Sequence, residues 1–85
     1  MTRDKCLEVL DLYEKFLCSV WTRQQKDRDT VQHLLLMIPN MRTMLDHVPK
    51  LASEAKFMRW LGFIQGVLWQ RRWFTLEELK EHNRP

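Results

Sequence analysis

Apolar residues at the start of the chain recur three and four positions apart, between about Arg3 and Thr22. This spacing lines up side chains along one face of an α-helix. The recurring positions are Cys6, Val9, Leu10, Tyr13, Phe16, Leu17 and Val20. Thr2 or Asp4 is expected to cap the helix, because a short polar side chain accepts a hydrogen bond from an unpaired N–H group of the first turn. The pattern therefore predicts a first helix with one buried face.

A second helix is predicted after the polar stretch of residues 22–29. Asp29 and Gln32 have the spacing of a capping box, in which two side chains satisfy backbone N–H groups at the helix start. Pro39 disfavours helical geometry at the preceding residue, so we expect this helix to end or kink at Ile38 and a further short turn to follow. The apolar positions of the helix are Val31, Leu34, Leu35 and Ile38, and those of the turn are Met41, Met44, Leu45 and Val48.

The third predicted helix extends from Leu51 to Gln70, and Pro49 suits its start. Apolar residues fill more than one face, which is typical of a helix that is central in its fold or packed between partners. Gly62 and Gly66 lie one turn apart, and in an exposed helix each glycine costs about 1 kcal/mol relative to alanine. We therefore expect the two glycines to admit a neighbouring helix at close range.

A short fourth helix is predicted after residue 74. Thr75 and Glu78 have the spacing of a capping box, and Leu76 and Leu79 give the segment one apolar side. Runs of alternating β-branched residues, which would indicate strands, do not occur. The expected fold class is all-α: a compact three-to-four-helix bundle, one domain spanning residues 1–85, with the aromatic-rich third helix at its centre.

Composition adds an excess of aromatic side chains to this picture. The 85 residues are 45% hydrophobic and include four tryptophans, four phenylalanines and five methionines. A chain of this size buries only somewhat over ~60% of its unfolded surface, so one short bundle cannot hide every aromatic ring. Tryptophan, methionine and arginine are enriched where proteins bind each other. We therefore expect some of these rings to meet another chain, in a homodimer or small homo-oligomer or with a different protein.

Cysteine placement and the lengths of the apolar runs bear on the compartment. Cys6 and Cys18 lie on one predicted helix, about 18 Å apart along its axis, which is too far for a disulfide. No signal-peptide pattern opens the sequence, and the longest apolar runs fall short of the roughly 20 residues that span a bilayer. We expect a protein without a membrane segment in a reducing cytoplasm.

Residue types that carry catalysis or bind metals are present but scattered. His33, His47 and His82 stand on three different predicted segments, and none is near a cysteine in sequence. No Cys-x-x-Cys, His-x-x-x-His or acidic calcium-loop pattern occurs. The sequence therefore predicts neither a nucleophile with an adjacent base nor a metal site, and we expect a protein that is not an enzyme and has no cofactor.

The C-terminal half of the chain resembles a group of small proteins encoded by tailed bacteriophages and prophages. The resemblance is carried by the run Arg-Trp-Leu-Gly-Phe-Ile-Gln-Gly-Val-Leu-Trp at residues 59–69 and by residues 74–84; residues 13–21 resemble the group's first helix. A glycine often stands near position 72 in that group, where this chain has Arg71 and Arg72. No activity is established for the group. The resemblance implies a phage context, in which short accessory proteins bind and redirect a host protein or disarm a defence system.

The function expected from these patterns is that of a non-enzymatic phage accessory protein. It would bind a host or viral protein and modulate it, with inhibition as the expected effect. The site is expected around the end of the third helix, with two apolar anchors among arginines. The residues predicted to contact the partner are Arg59, Phe63, Trp69, Arg71, Arg72 and Trp73.

Two alternatives stay open at this level. The first is a small nucleic-acid-binding regulator, because aromatic rings beside arginines can stack bases. Its contact residues would be Arg23, Lys26, Arg28, Arg71 and Arg72. The net charge of +3, from 14 basic and 11 acidic residues, weighs against it, since phosphate binding usually requires a concentrated basic face. The second alternative is a structural oligomer within a viral assembly.

Overall fold

The computed structural model describes the backbone of residues 2–47 and 51–84, and the side chains of residues 2–47 and 54–84. Four helices account for most of this part: α1 is Arg3–Arg23, α2 is Arg28–Leu45, α3 is Leu51–Gln70 and α4 is Leu76–His82. The described ranges contain no strand. The all-α helical bundle predicted from the apolar spacing is therefore confirmed. Within these residues no helix is both long and apolar enough to cross a membrane.

The core is formed where α1 and α3 pack on either side of α2 and α4 closes one end. The predicted stripe of α1 is buried except for Phe16, which is half-buried. Thr2 caps this helix, because its hydroxyl accepts a hydrogen bond from the Lys5 N–H group at 3.1 Å. Cys6 is buried and Cys18 is exposed, and both are free thiols on α1. The spacing of apolar residues thus predicted the orientation of the first helix.

The predicted capping box of the second helix is wrong, and the helix does not end at Ile38. Helix α2 begins at Arg28 after Asp27, so Asp29 lies in its first turn and does not form a capping box. Pro39 is exposed inside the helix, which continues to Leu45. An interior proline costs about 3 kcal/mol, and burial of large side chains on both sides of it offsets that cost. These buried residues are Leu34, Met37, Ile38, Met41 and Leu45. Val48 and Pro49 lie outside the described residues.

Helix α3 buries one face of its side chains between residues 54 and 70. The buried residues recur at helical spacing and are Phe57, Leu61, Ile64, Gln65 and Leu68. Gly62 and Gly66 are exposed, and a Cβ atom at either position would have no neighbouring atom within 4 Å. The predicted close approach of a helix to these glycines is therefore not made within the described part of the chain. The outer apolar residues of α3 remain open to solvent.

Helix α4 is short and is defined by both of its ends. Thr75 and Glu78 form the predicted capping box: the Glu78 N–H donates to the Thr75 hydroxyl at 3.1 Å and the Thr75 N–H donates to the Glu78 carboxylate at 2.9 Å. Leu79 is buried against the core, whereas Leu76 is half exposed. The helix therefore packs through one turn, and polar contacts described below complete its attachment.

Candidate functional site

Large apolar side chains are exposed on the outer side of α3 and in the turn that follows it. Trp69 is 55% exposed and Phe63 is 52% exposed, and both values are high for aromatic rings. Arg59 is exposed one turn before Phe63, and Arg72 is exposed just after the helix ends. We call Arg59, Phe63, Trp69 and Arg72 together the exposed α3 cluster. It consists of two pairs, Arg59 with Phe63 and Trp69 with Arg72, which lie about 120° apart around the helix. A surface of this kind, in which aromatic rings stand beside arginines, has the composition of a protein-binding site.

The turn after α3 holds Arg72 in a left-handed conformation, with φ at 60°. Its N–H donates to the Trp69 carbonyl at 2.9 Å, and the Trp73 N–H donates to the Leu68 carbonyl at 3.0 Å. These two bonds form a Schellman motif, whose left-handed position is usually occupied by glycine. An arginine there costs about 1–2 kcal/mol of backbone strain. Glycine would adopt the backbone conformation of position 72 without this strain.

Two of the six predicted contact residues are engaged within the fold. Arg71 pairs with the Asp27 carboxylate and so joins the end of α3 to the start of α2. Trp73 is half-buried against Phe16 of α1, with ring centroids 5.8 Å apart in an edge-to-face arrangement. The turn therefore directs Trp73 inward. The four members of the exposed α3 cluster are the predicted residues whose side chains face solvent.

Three of the five basic residues of the nucleic-acid alternative make contacts within the fold. The Arg28 guanidinium lies 4.0 Å from the centroid of the Trp21 ring and donates to the Trp21 carbonyl at 2.9 Å. Arg71 is neutralised by Asp27, as described above. Arg23 donates through Nε to the Ser19 carbonyl of its own helix at 3.2 Å. Arg23, Lys26, Arg71 and Arg72 are exposed and Arg28 is half-buried, and Arg71 is the member of that set that pairs with a carboxylate.

An open cleft of about 290 Å³ lies between α2 and α3, and we call it the α2–α3 cleft. Its lining residues are His33, Met37, Arg59, Trp60 and Phe63. The His33 and Phe63 rings meet edge to face with centroids 5.8 Å apart, and the Lys56 ammonium lies 5.4 Å from the centroid of the Trp60 ring. Sequence reasoning missed His33 and Met37 as site residues, because only the pairing of α2 with α3 brings them to this cleft. It also left Trp60 and Lys56 out of the site, although both lie on α3, one turn apart.

A buried polar network joins α1, α3 and α4, and no sequence pattern predicted it. Gln65 donates through Nε2 to the Tyr13 hydroxyl at 3.0 Å, and the hydroxyl is 2.8 Å from His82 Nδ1. Tyr13 accepts from Gln65, and we assign its single proton to the bond with Nδ1, which corresponds to the neutral His82 tautomer with its proton on Nε2. Gln65 and Asn83 exchange two amide hydrogen bonds of 2.7 and 3.1 Å. These bonds attach the end of α4 to α1 and α3.

Burial changes the titration of both aromatic members of the network. Desolvation raises the pKa of Tyr13 to about 12, so its hydroxyl stays protonated as a donor. Desolvation also lowers the pKa of His82 below its ordinary value of 6.5. A neutral His82 suits the network, because a protonated ring would present a donor at Nδ1 where it now accepts. The network is therefore intact at neutral pH and strained in acid.

We expect acid to destabilise the fold through His82 in a defined pH window. The pKa of His82 is lower in the folded chain than in the unfolded chain, so below about pH 6.5 the unfolded chain binds more protons. The free energy of unfolding therefore decreases as the pH is lowered through this range. Hydrogen bonds lower the pKa of Glu14 and Glu78, and their effect is lost only below about 4.5. Urea unfolding across the range tests this. In His82→Gln the free energy of unfolding is expected to change less with pH between about 6.5 and 4.5, and to keep its dependence below that range. An unchanged slope in the upper range would contradict the assignment.

Comparisons with known proteins and a search for metal ligands add no further assignment. Against family models, curated proteins and solved structures, the chain gives no match. Within the described ranges, no three histidine, cysteine, aspartate or glutamate side chains gather closely enough to hold a metal ion. The exposed α3 cluster and the α2–α3 cleft are therefore the features of the molecule that bear on its function.

Proposed function

We propose that this chain is a non-enzymatic phage accessory protein that binds a host or viral protein and modulates it, with inhibition as the expected effect. The observation that carries the proposal is the exposed α3 cluster, where two half-exposed aromatic rings stand beside two arginines. The phage context and the bacterial cytoplasm as its place of action come from the resemblance of residues 59–69 and 74–84. Binding by complementary shape and charge is the activity that such a surface supports.

The conformation of Arg72 supports a binding role for this end of α3. A residue in a disfavoured backbone conformation persists where the surrounding structure or a function requires it. Here the turn has Arg72 where glycine would remove the strain, and the arginine side chain is exposed. Arginine contributes strongly to protein interfaces, because its planar guanidinium forms two parallel hydrogen bonds with a carboxylate.

Affinity capture from a bacterial lysate, with and without nuclease, tests the proposal. The wild-type chain is expected to recover one dominant protein that resists nuclease, and Trp69→Ala is expected to lose it, because a half-exposed tryptophan is a typical hot-spot residue. Leu12→Ala is the matched control: Leu12 is also exposed, at 42%, but lies on α1. Equal recovery by wild type and Trp69→Ala would show that the site is assigned wrongly.

The alternatives predict different results in the same experiment. Recovery that disappears with nuclease would favour the hypothesis of a nucleic-acid-binding regulator. Binding of the protein to nucleic acid would then fall steeply as the salt concentration rises, because phosphate contacts release counterions. Recovery of the bait alone, together with a stable oligomer in sedimentation, would favour structural assembly. The open surface at Gly62 and Gly66 supports self-association as a second proposal, because nothing in the described chain covers it.

A further inference from the structure

We propose that the α2–α3 cleft takes an acidic segment of the partner protein, with an apolar side chain inserted between the helices and carboxylates beside Arg59 and Lys56. This inference deepens the proposed function and rests on it, since it specifies the chemistry of the partner. It also extends the site beyond the exposed α3 cluster to the second helix. The volume of the cleft, its apolar walls and the positive charges at its rim specify this ligand.

The walls of the cleft suit one large apolar group. Met37 is 9% exposed and forms the deeper side together with half-buried Trp60, while Phe63 and His33 stand at the mouth. An enclosed apolar cavity of about 150 Å³ can hold a benzene molecule. The cleft, at about 290 Å³, therefore has room for an aromatic or branched aliphatic side chain. Insertion would cover the half of the Phe63 ring that is now exposed.

The charges around the cleft are cationic and lack partners within the protein. Arg59 lines the cleft and Lys56 lies over the outer ring of Trp60. Neither forms an ion pair with any described residue, whereas Arg3, Arg42 and Arg71 each pair with a carboxylate. No acidic side chain lines the cleft in the described part of the chain. A partner segment that brings carboxylates would supply the missing counter-charges.

A protein segment fits these features better than a nucleic acid. Single-stranded nucleic acid binds to grooves with many phosphate contacts, which follow the backbone past stacked bases. The cleft offers two cations, and the neighbouring basic residues Arg28 and Arg71 are engaged by Trp21 and Asp27. Two charges beside a single apolar opening are instead the arrangement expected for an apolar anchor flanked by glutamate or aspartate.

NMR titration of the full ¹⁵N-labelled chain tests the proposal with three short peptides. Each has a central phenylalanine, and the flanking residues are all glutamate, all lysine or all glutamine. Three of the indole N–H signals report on separate places: Trp60 lines the cleft, Trp69 lies at the end of α3 and Trp21 lies under Arg28. We expect the glutamate peptide to shift the Trp60 and His33 signals in a saturable manner and the lysine peptide to leave them unchanged.

Variants at exposed positions separate binding from folding. Arg59→Glu is expected to weaken binding of the glutamate peptide by about fivefold, the upper end of the range for one exposed ion pair. Phe63→Ser is expected to abolish the Trp60 shift. Arg23→Glu makes the same change in charge on α1, which contributes no lining residue to the cleft, and is expected to leave peptide binding unaltered.

Several results would overturn the cleft assignment. They are equal Trp60 shifts with the glutamate and lysine peptides, shifts confined to Trp69, no Trp60 shift at millimolar peptide, or an equally strong Trp60 shift with an oligothymidine strand. The lysate capture described above depends on Trp69, which does not line the cleft. Capture that persists while the peptide test fails would therefore refute the cleft alone. A saturable Trp60 shift without any nuclease-resistant partner would instead count against the proposed function.

Discussion

Replacing Tyr13 with phenylalanine is expected to lower the free energy of unfolding by about 1–3 kcal/mol. The Tyr13 side chain is completely buried, and its hydroxyl lies between the Gln65 amide and His82 Nδ1. Phenylalanine preserves the ring, so packing changes little, but the imidazole nitrogen loses its donor and the amide loses an acceptor. Leaving buried polar groups unpaired costs more than the hydrogen bond itself contributes. The loss should therefore be large for the removal of a single oxygen atom.

Denaturant unfolding combined with hydrogen exchange measures this effect and locates it. The amides of α4 are expected to exchange faster in Tyr13→Phe, because the variant loses the hydrogen bond between His82 and α1. The cost should shrink in a His82→Leu background, where no imidazole remains to be left unpaired. If Tyr13→Phe unfolds at the same denaturant concentration as wild type and α4 remains equally protected, the network does not stabilise the fold.

Arg72→Gly is expected to have opposite effects on stability and on binding. Glycine removes the left-handed strain of about 1–2 kcal/mol. The greater conformational freedom of glycine in the unfolded chain offsets part of this stabilisation. A net gain of about 0.5–1 kcal/mol corresponds to a rise in Tm of roughly 2–8 °C for a domain of this size. The same change removes a guanidinium from the exposed α3 cluster, so recovery of the partner in lysate capture is expected to fall.

Thermal unfolding and the capture experiment measure the two effects separately. Arg72→Asn serves as the control, because asparagine also tolerates the left-handed conformation and should give a smaller gain in Tm. An unchanged or lower Tm in Arg72→Gly would contradict the assignment of strain. A higher Tm with undiminished capture would show that the arginine side chain does not contact the partner.

Local spacing predicted the helices well because each depends on residues close together in sequence. The stripe of α1, the extent of α3 and the capping box of α4 all arise from contacts within a few positions. Pro39 shows the limit of this reasoning. Its local preference ends a helix, but burial of Ile38 and Met41 on the core side keeps α2 continuous. A tertiary contribution of this kind cannot be derived from neighbouring residues.

The candidate site was predictable only in part, for a related reason. The aromatic excess indicated exposed rings near the end of α3, and Phe63 and Trp69 are exposed there. The inward turn of Trp73 and the pairing of Arg71 depend on Phe16 and Asp27, which are distant in sequence. Gln65 gave the one available signal for the polar network: it is a lone polar residue among the apolar positions of the buried face of α3.

The separation of 69 positions between Tyr13 and His82 also affects how the chain assembles during synthesis. Helix α1 leaves the ribosome first, and its tyrosine hydroxyl has no imidazole acceptor until residue 82 has emerged. Until then that hydroxyl has water or the Gln65 amide as its partner. Helix α4 is seven residues long and too short to be stable alone, so it forms as it docks. The network is therefore completed only after the other three described helices have been made.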